Sequence, residues 1–452
     1  MTNKMRNGLV AATACVLALA LVASTSAQQK PAVVVSVRTD RKDALYSCNQ
    51  KATFLISVTD ADKPVTEGEV TVKLTLDFGK VIERKTAKLG DKPVQMTGTL
   101  AQPGFLVCEA SIVRNGKKHT GLAGAAFDPK QIKPVCKLPD DFDAFWKAGR
   151  EEAARIPLDL KLTHMPEFSD DKQATYYLSF ANVGDTRMYG FLCVPKGKTG
   201  PFPAMLFPPS GGLIKPTKPT NPKYAHRGAL YLEMGIHDFD PLNPPPEIKK
   251  QRGSIAYANV GAPDRNKYYF RRAILGLDRA IEYLASRPDF DGKHMVINSG
   301  SQGGGLALIL AGLNPRVSAI CITKPAMCDL QACLVERGRS WPRFLLPKAH
   351  RTEEWIRMSE YFDAVNFARG INVPVLANVG FIDSTCPPGS VYAAYNVIPT
   401  VNKTMINLLT QKHFWTINDE AHAWWRYQSK WLDAQLGLGP EAGSPAKDNW
   451  TP

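Results

Sequence analysis

Apolar and polar residues alternate with period two along the first part of the chain: Val33-Val34-Val35-Ser36-Val37, then Thr53 to Val58, Val70 to Leu76 and Phe105 to Ile112. Short runs rich in β-branched residues, with turn residues between them, predict antiparallel strands. About 100 residues of this pattern suit one small all-β sandwich of the immunoglobulin-like kind. The pattern stops at Asp128-Pro129-Lys130-Gln131-Ile132-Lys133-Pro134, where two prolines remove ladder donors. Asp141 then stands as N-cap candidate for a helix beginning Phe142-Asp143-Ala144-Phe145-Trp146.

Beyond this seam the period itself alternates. Strands are expected near Ala174–Phe180, Met188–Val194, Ala204–Phe207 and Ala229–Leu232, followed by a helix from Tyr268 to Ser286 with Ile274, Leu277, Ile281 and Leu284 on one stripe. Next come a strand His294–Asn298, a helix to Leu313, strands Val317–Ile322 and Val373–Val379, a helix to Ile398, a strand Met405–Leu409 and a closing helix Asp419–Leu436. Alternation of this kind predicts an α/β class: a doubly wound, mostly parallel sheet with helices on both faces.

The first 27 residues read as a cleavable signal peptide: Lys4 and Arg6, an apolar run from Leu9 to Ala23, then Ser24-Thr25-Ser26-Ala27. The run is short for a bilayer, which needs roughly 20 residues, and no later stretch reaches the required length. A secreted or periplasmic protein without stable membrane insertion is therefore expected. The organisation that follows is a signal at 1–27, the sandwich at 28–134, the α/β unit at 135–438 and a flexible tail, rich in Pro, Gly and Ser, at 439–452.

Composition narrows the function. A chain of 452 residues with 44% hydrophobic and 22% charged residues has material for a buried core and is neither disordered nor collagen-like. The formal charge of +14 falls to +12 without Lys4 and Arg6, and residues 28–135 carry 17 Lys and Arg against 11 Asp and Glu. That charge is diffuse; without a basic run, a zinc-finger spacing or a stripe interleaved with aromatics, no nucleic-acid partner is expected. Of nine cysteines, Cys15 lies in the signal; the other eight are too few for a disulfide scaffold, and Cys193 and Cys321 fall in buried-strand runs. Cys48 and Cys108, both on candidate strands of the small unit, are the first pair to consider for a disulfide.

Candidate chemistry centres on Ser299-Gly300-Ser301-Gln302-Gly303-Gly304-Gly305, which follows a buried strand and precedes an apolar helix, Leu306 to Ala311. This is the context of a nucleophile elbow, where a serine sits on a sharp strand-to-helix turn and needs small residues two positions to either side. A Gly-rich helix entry can also bind phosphate, but the Lys of a P-loop is missing. A serine hydroxyl needs a base oriented by a carboxylate, and in this architecture the chain order is Ser, acid, His. Asp383, just beyond the strand ending at Val379, is the acid candidate. His413, in the loop after Met405–Leu409, is the preferred base; His422, within the first turns of the last helix, is the second candidate. For the oxyanion hole, Gln302 supplies one N–H and Ser210 the other, since Pro208 and Pro209 have none to give.

With these residues in view, the chain resembles the acetyl xylan esterase and cephalosporin-C deacetylase family of α/β-hydrolases. The resemblance spans Leu138 to Leu436 and is carried by Tyr268-Tyr269-Phe270-Arg271-Arg272, Ala285-Ser286-Arg287-Pro288, Gly300-Ser301-Gln302-Gly303-Gly304, Pro325-Ala326-Met327-Cys328-Asp329, and Asp383 through Pro388 followed by Tyr392-Ala393-Ala394-Tyr395-Asn396. It implies Ser301 as nucleophile, Asp383 as acid and His413, counted from Lys403 at the start of the last strand, as base. Three departures stand out: the family's His-Gly-Tyr-Gly-Gly loop appears as Pro208-Pro209-Ser210-Gly211-Gly212, its Arg-Gly-Gln-Gly stretch has only Asn259-Val260-Gly261-Ala262-Pro263 as counterpart, and Lys412 replaces the Gly before the histidine. The expectation is a serine carboxylesterase that deacetylates carbohydrate through Ser301, His413 and Asp383, without metal or cofactor. The alternatives are another ester or a peptide as substrate, or a non-catalytic carbohydrate-binding protein on the same scaffold. A homo-oligomer is left open.

Overall fold

The computed structural model of the chain describes residues 33–213, 216–251, 254 and 256–439. The expected signal at 1–27 and nearly all of the expected tail at 439–452 lie outside the described residues.

Nine strands come first: β1 (Val33–Thr39), β2 (Leu45–Tyr46), β3 (Ala52–Asp60), β4 (Lys63–Pro64), β5 (Glu69–Leu76), β6 (Val81–Lys88), β7 (Val94–Gly98), β8 (Gly104–Arg114) and β9 (Lys117–Phe127). They form a four-stranded sheet, in which β3 pairs with β1, β4 and β7, and a five-stranded sheet in the order β2-β9-β8-β5-β6. All of these pairs are antiparallel except β2 with β9. Alternate residues, among them Phe54, Ile56, Val72, Leu74, Leu106 and Cys108, point into the core between the sheets, as the period-two pattern requires. The first half of β8 is buried on both faces: Phe105 points out of the sandwich and packs with the core of the larger unit.

Cys48 and Cys108 are both free thiols, so the candidate disulfide is not formed. Cys108 is sealed in the sandwich core on β8, whereas Cys48 lies in the turn after β2, held there by its N–H donating to Asp128 Oδ2 at 2.8 Å.

The larger unit is a nine-stranded sheet of β10 (Lys161–His164), β11 (Gln173–Asn182), β12 (Thr186–Pro195), β13 (Phe202–Phe207), β14 (Leu230–Met234), β15 (Phe290–Gly300), β16 (Ala319–Thr323), β17 (Val375–Gly380) and β18 (Lys403–Leu408). Its order is β10-β11-β12-β14-β13-β15-β16-β17-β18, antiparallel up to β14 and parallel from there on. Helices α1 (Phe142–Ala154), α2 (Lys223–Arg227), α3 (Pro246–Lys250), α4 (Tyr269–Ser286), α5 (Gln302–Leu313), α6 (Glu353–Phe362), α7 (Ala364–Ala368), α8 (Pro388–Asn396) and α9 (Asp419–Gln435) complete it. Successive strand residues serve opposite faces: Leu206, Ile297, Ile320 and Ala377 join the core shared with α1, α4, α5, α7 and α8. Their neighbours Met205, Val296, Cys321 and Leu376 join the core shared with α2 and α9. Both faces are therefore covered, which is why these strands read as continuous apolar runs.

Helix α1 begins after Asp141 as expected, but the Asp141 side chain does not cap it. The carboxylate is taken instead by Arg265, at 2.8 Å, and by the Tyr361 hydroxyl.

Candidate active site

Strand β15 lies near the middle of the parallel run and delivers Ser301 at its carboxyl end, the edge at which open α/β sheets bind ligands. Ser301 has φ 55° and ψ −127°, a backbone conformation that an L-residue holds only under constraint. The constraint is visible. Its N–H donates to Thr323 O at 2.9 Å, and its carbonyl accepts from Ala326 N–H at 2.9 Å and Gly305 N–H at 3.1 Å, so the turn is tied to the end of β16. The glycines leave room for this: a Cβ on Gly303 would lie 2.0 Å from Ser299 Oγ and 2.6 Å from Pro208 O, and one on Gly305 would lie 2.3 Å from Ala326 O.

Asp383 follows β17 in a tight turn and is fully buried. Its Oδ1 accepts from Thr385 N–H at 2.8 Å and Cys386 N–H at 2.9 Å, which leaves Oδ2 free to face His413 Nδ1 at 2.9 Å. The carboxylate plays no part in capping α8, whose N-cap is Pro387. His413 stands in the loop between β18 and α9, and its Nε2 lies 2.9 Å from Ser301 Oγ. A hydroxyl on a ring nitrogen whose other nitrogen is fixed by a buried carboxylate can be deprotonated as it attacks. His422 is exposed on α9 with its ring against Trp425, and it joins none of these contacts.

The loop after β13 is stitched to the elbow. Ser299 Oγ donates to Pro208 O at 2.7 Å, Gln302 Nε2 to Pro209 O at 3.1 Å, and Ser210 Oγ to Gly300 O at 3.3 Å. Gln302 Oε1 in turn accepts from the Tyr257 hydroxyl at 2.5 Å, and that hydroxyl accepts from Gly212 N–H at 3.3 Å. His237 secures the far end of the loop with a ring nitrogen 2.9 Å from Gly212 O, and burial pushes it down to about 4, so the ring is neutral at ordinary pH. Ser210 and Gly211 line a cleft of about 550 Å³ with Ser301, His413, Trp341, Arg343, Phe414 and Trp415. Gln302 is buried just beneath it, and as the first residue of α5 its N–H has no carbonyl a turn earlier to donate to.

Tyr257, Trp341 and Lys324 are among the residues of this site that no motif in the sequence marks. Trp341 lies against Gly211, next to Ser210, the position at which the resemblance leads one to expect an aromatic residue. A wider cleft of about 920 Å³ between α1 and α4, lined by Trp146, Arg150, Asp278 and Tyr283, brings no serine and histidine together. Among the described residues, one trio offers metal-ligand atoms within 4.8 Å of one another: Asp383, Cys386 and His413. Their chemistry suits the hydrogen bonds better, because Asp383 and His413 already face each other and burial pushes the Cys386 thiol well above its ordinary range.

Comparison with known proteins agrees with the fold. A family model for acetyl xylan esterase (AXE1) matches residues 128–428. The acetyl esterase Axe7A of Xylanibacter ruminicola is 34% identical over 356 residues, covering 78% of this chain and 79% of that protein. The solved acetyl xylan esterase of Paenibacillus sp. R4 superposes with a TM-score of 0.58 at 24% identity, over 68% of this chain and 98% of that one. Acetyl xylan esterase 1 of Thermoanaerobacterium sp. JW/SL YS485 gives 0.56 at 21% identity, over 69% and 98%. At those identities the two structures speak for the α/β-hydrolase fold alone.

Proposed function

The chain belongs to the acetyl xylan esterase family and is a carboxylic ester hydrolase, and we propose that it removes acetyl groups from carbohydrate with Ser301 as nucleophile, His413 as base and Asp383 as the acid that orients it. The observation that carries this reading is the unbroken hydrogen-bonded line from Ser301 Oγ through His413 to the buried Asp383 at the foot of a cleft. Ser301 Oγ attacks the ester carbonyl while His413 Nε2 takes its proton. The Ser210 and Gln302 N–H groups hold the developing oxyanion. His413 then gives the proton to the sugar oxygen as its bond to the acetyl carbon breaks, releasing the sugar hydroxyl and leaving acetyl-Ser301, and water repeats the sequence to free acetate.

Small acyl groups suit the cleft, because Trp341 supplies the apolar wall beside Gly211. Phe414, 85% exposed beside His413, offers its face to a sugar ring. The wider reading places a cleaved export signal at residues 1–27 and a secreted or periplasmic enzyme. It makes residues 28–134 an immunoglobulin-like sandwich ahead of the hydrolase at 135–438. Ser301→Ala should lower acetate release from acetylated xylo-oligosaccharides and from an aryl acetate by on the order of 10⁴-fold or more. Undiminished hydrolysis would overturn the assignment, and saturable polysaccharide binding without turnover in the unaltered protein would favour a binding role.

A further inference from the structure

Lys324, the first residue after β16, is 2% exposed, yet its side chain reaches the cleft wall. Its backbone takes a φ of 43°, held by its N–H donating to Asn378 Oδ1 at 3.0 Å. The Nζ donates to Lys412 O at 2.7 Å and to His413 O at 3.1 Å, and it sits 3.7 Å above the centre of the Trp415 ring. An ammonium has three N–H donors. Two carbonyls and one aromatic face engage all three, so none is left for a substrate.

The two carbonyls are not arbitrary. That of Lys412 belongs to the peptide plane entering His413, and that of His413 to the plane leaving it. Fixing both planes fixes φ and ψ at His413, and hence the direction in which Cα–Cβ launches the imidazole. We propose that Lys324 is a positioning residue whose ammonium clamps the two peptide planes flanking His413, so that the ring is held between Ser301 and Asp383. The inference rests on the reading of His413 as the base. Burial pushes Lys324 down to about 8, opposed by the Asp383 carboxylate and by Glu420 of α9, while the neighbouring Cys386 thiol, itself pushed well above its ordinary range, stays neutral. The clamp is therefore a cation at neutral pH. The loop also has braces of its own: the Glu420 carboxylate accepts from Leu409 and Thr410 N–H groups, and Gln411 bonds Thr416 and Asn418. Those contacts hold the ends of the loop, whereas Lys324 holds its middle.

The test compares Lys324→Met, which keeps the length and loses the donors, with the unaltered enzyme on an aryl acetate. A fall in kcat of at least about tenfold is expected, with KM unchanged within about twofold and labelling of Ser301 by a small fluorophosphonate slowed in parallel. A folded Lys324→Met with undiminished kcat, or one in which only KM rises, would overturn the proposal. Lys324→Ala provides a second arm should the first variant fold poorly. Methylammonium should restore its activity saturably, and tetramethylammonium, a cation without N–H donors, should not. Equal rescue by both, or by neither, would sink the clamp. Failure of the underlying reading has a separate signature, namely retained activity in His413→Ala whatever the Lys324 variants do.

Discussion

Ser299 occupies the position where an elbow of this kind ordinarily carries glycine. The substitution has a local use: its hydroxyl ties Pro208 O to the elbow at 2.7 Å, and Gly303 opposite leaves the space that the extra atom fills. One residue thus replaces bare clearance with a link to the loop after β13. The same scale separates the two candidate histidines. His413 is half-buried between a hydroxyl and a carboxylate, whereas His422 is exposed on a helix. His413→Ala should cost on the order of 10³-fold or more in kcat for an aryl acetate, and His422→Ala less than about twofold. Substantial activity in the first variant would reassign the base.

Elements set how much of this was readable in advance. Strands β3, β5 and β8 announce themselves by β-branched alternation, and β13 by an unbroken apolar run, because burial of one or both faces dictates those patterns. Strand β6, Val-Ile-Glu-Arg-Lys-Thr-Ala-Lys, is an exposed sheet edge with little to bury, and β10 is exposed throughout; neither leaves a hydrophobic trace. Strand β9 is built largely of Gly and Ala, which carry no strand signature, yet Gly124 has to be small because a Cβ there would lie 2.6 Å from Phe381 O. Ser301, Asp383 and His413 are legible because the elbow motif marks the serine and the chain order of acid and histidine after later parallel strands follows from it. Lys324, Tyr257 and Trp341 were not, since their contacts exist only once separate loops meet in space. The strand-turn-helix of β15 and α5 tolerates little change. Gly303→Ala should destabilise the protein by about 1–3 kcal/mol, the cost of overpacking. It should also lower kcat by displacing the loop held at Pro208; an unchanged melting temperature and kcat would show that the contact relaxes freely.

At the scale of the whole molecule, the five-stranded amino-terminal sheet packs directly behind the turn that carries Asp383. Phe105 meets the Phe381 ring edge-on at 5.1 Å and Tyr392 at 5.8 Å. Asp77, at the end of β5, is buried against α8 with Oδ1 accepting from Gly389 N–H at 3.2 Å and Oδ2 without a partner. Burial pushes Asp77 up to about 7, only partly opposed by the Gly389 N–H and by Arg337. Because the folded value lies above the ordinary carboxylate value, the stability linked to this proton is complete at acid pH and is lost as pH rises through about 7. Asp77→Asn, which cannot ionise, should therefore gain in melting temperature relative to the unaltered protein as pH is raised from about 5 to about 8. A difference that does not vary with pH would mean that Asp77 is already charged in the fold.

The eight described thiols carry a further consequence. Six are buried, Cys48 and Cys333 are half-covered, and none is paired. Disulfide topology therefore contributes nothing to holding the fold, and the chain can reach it in reducing or oxidising surroundings alike. For the six buried thiols the hazard is confined to the interval before the core closes, when they are exposed to oxidants and to one another. On the proposed reading of an exported enzyme, folding becomes a race against misoxidation, and a cysteine sealed within the native core has left that race.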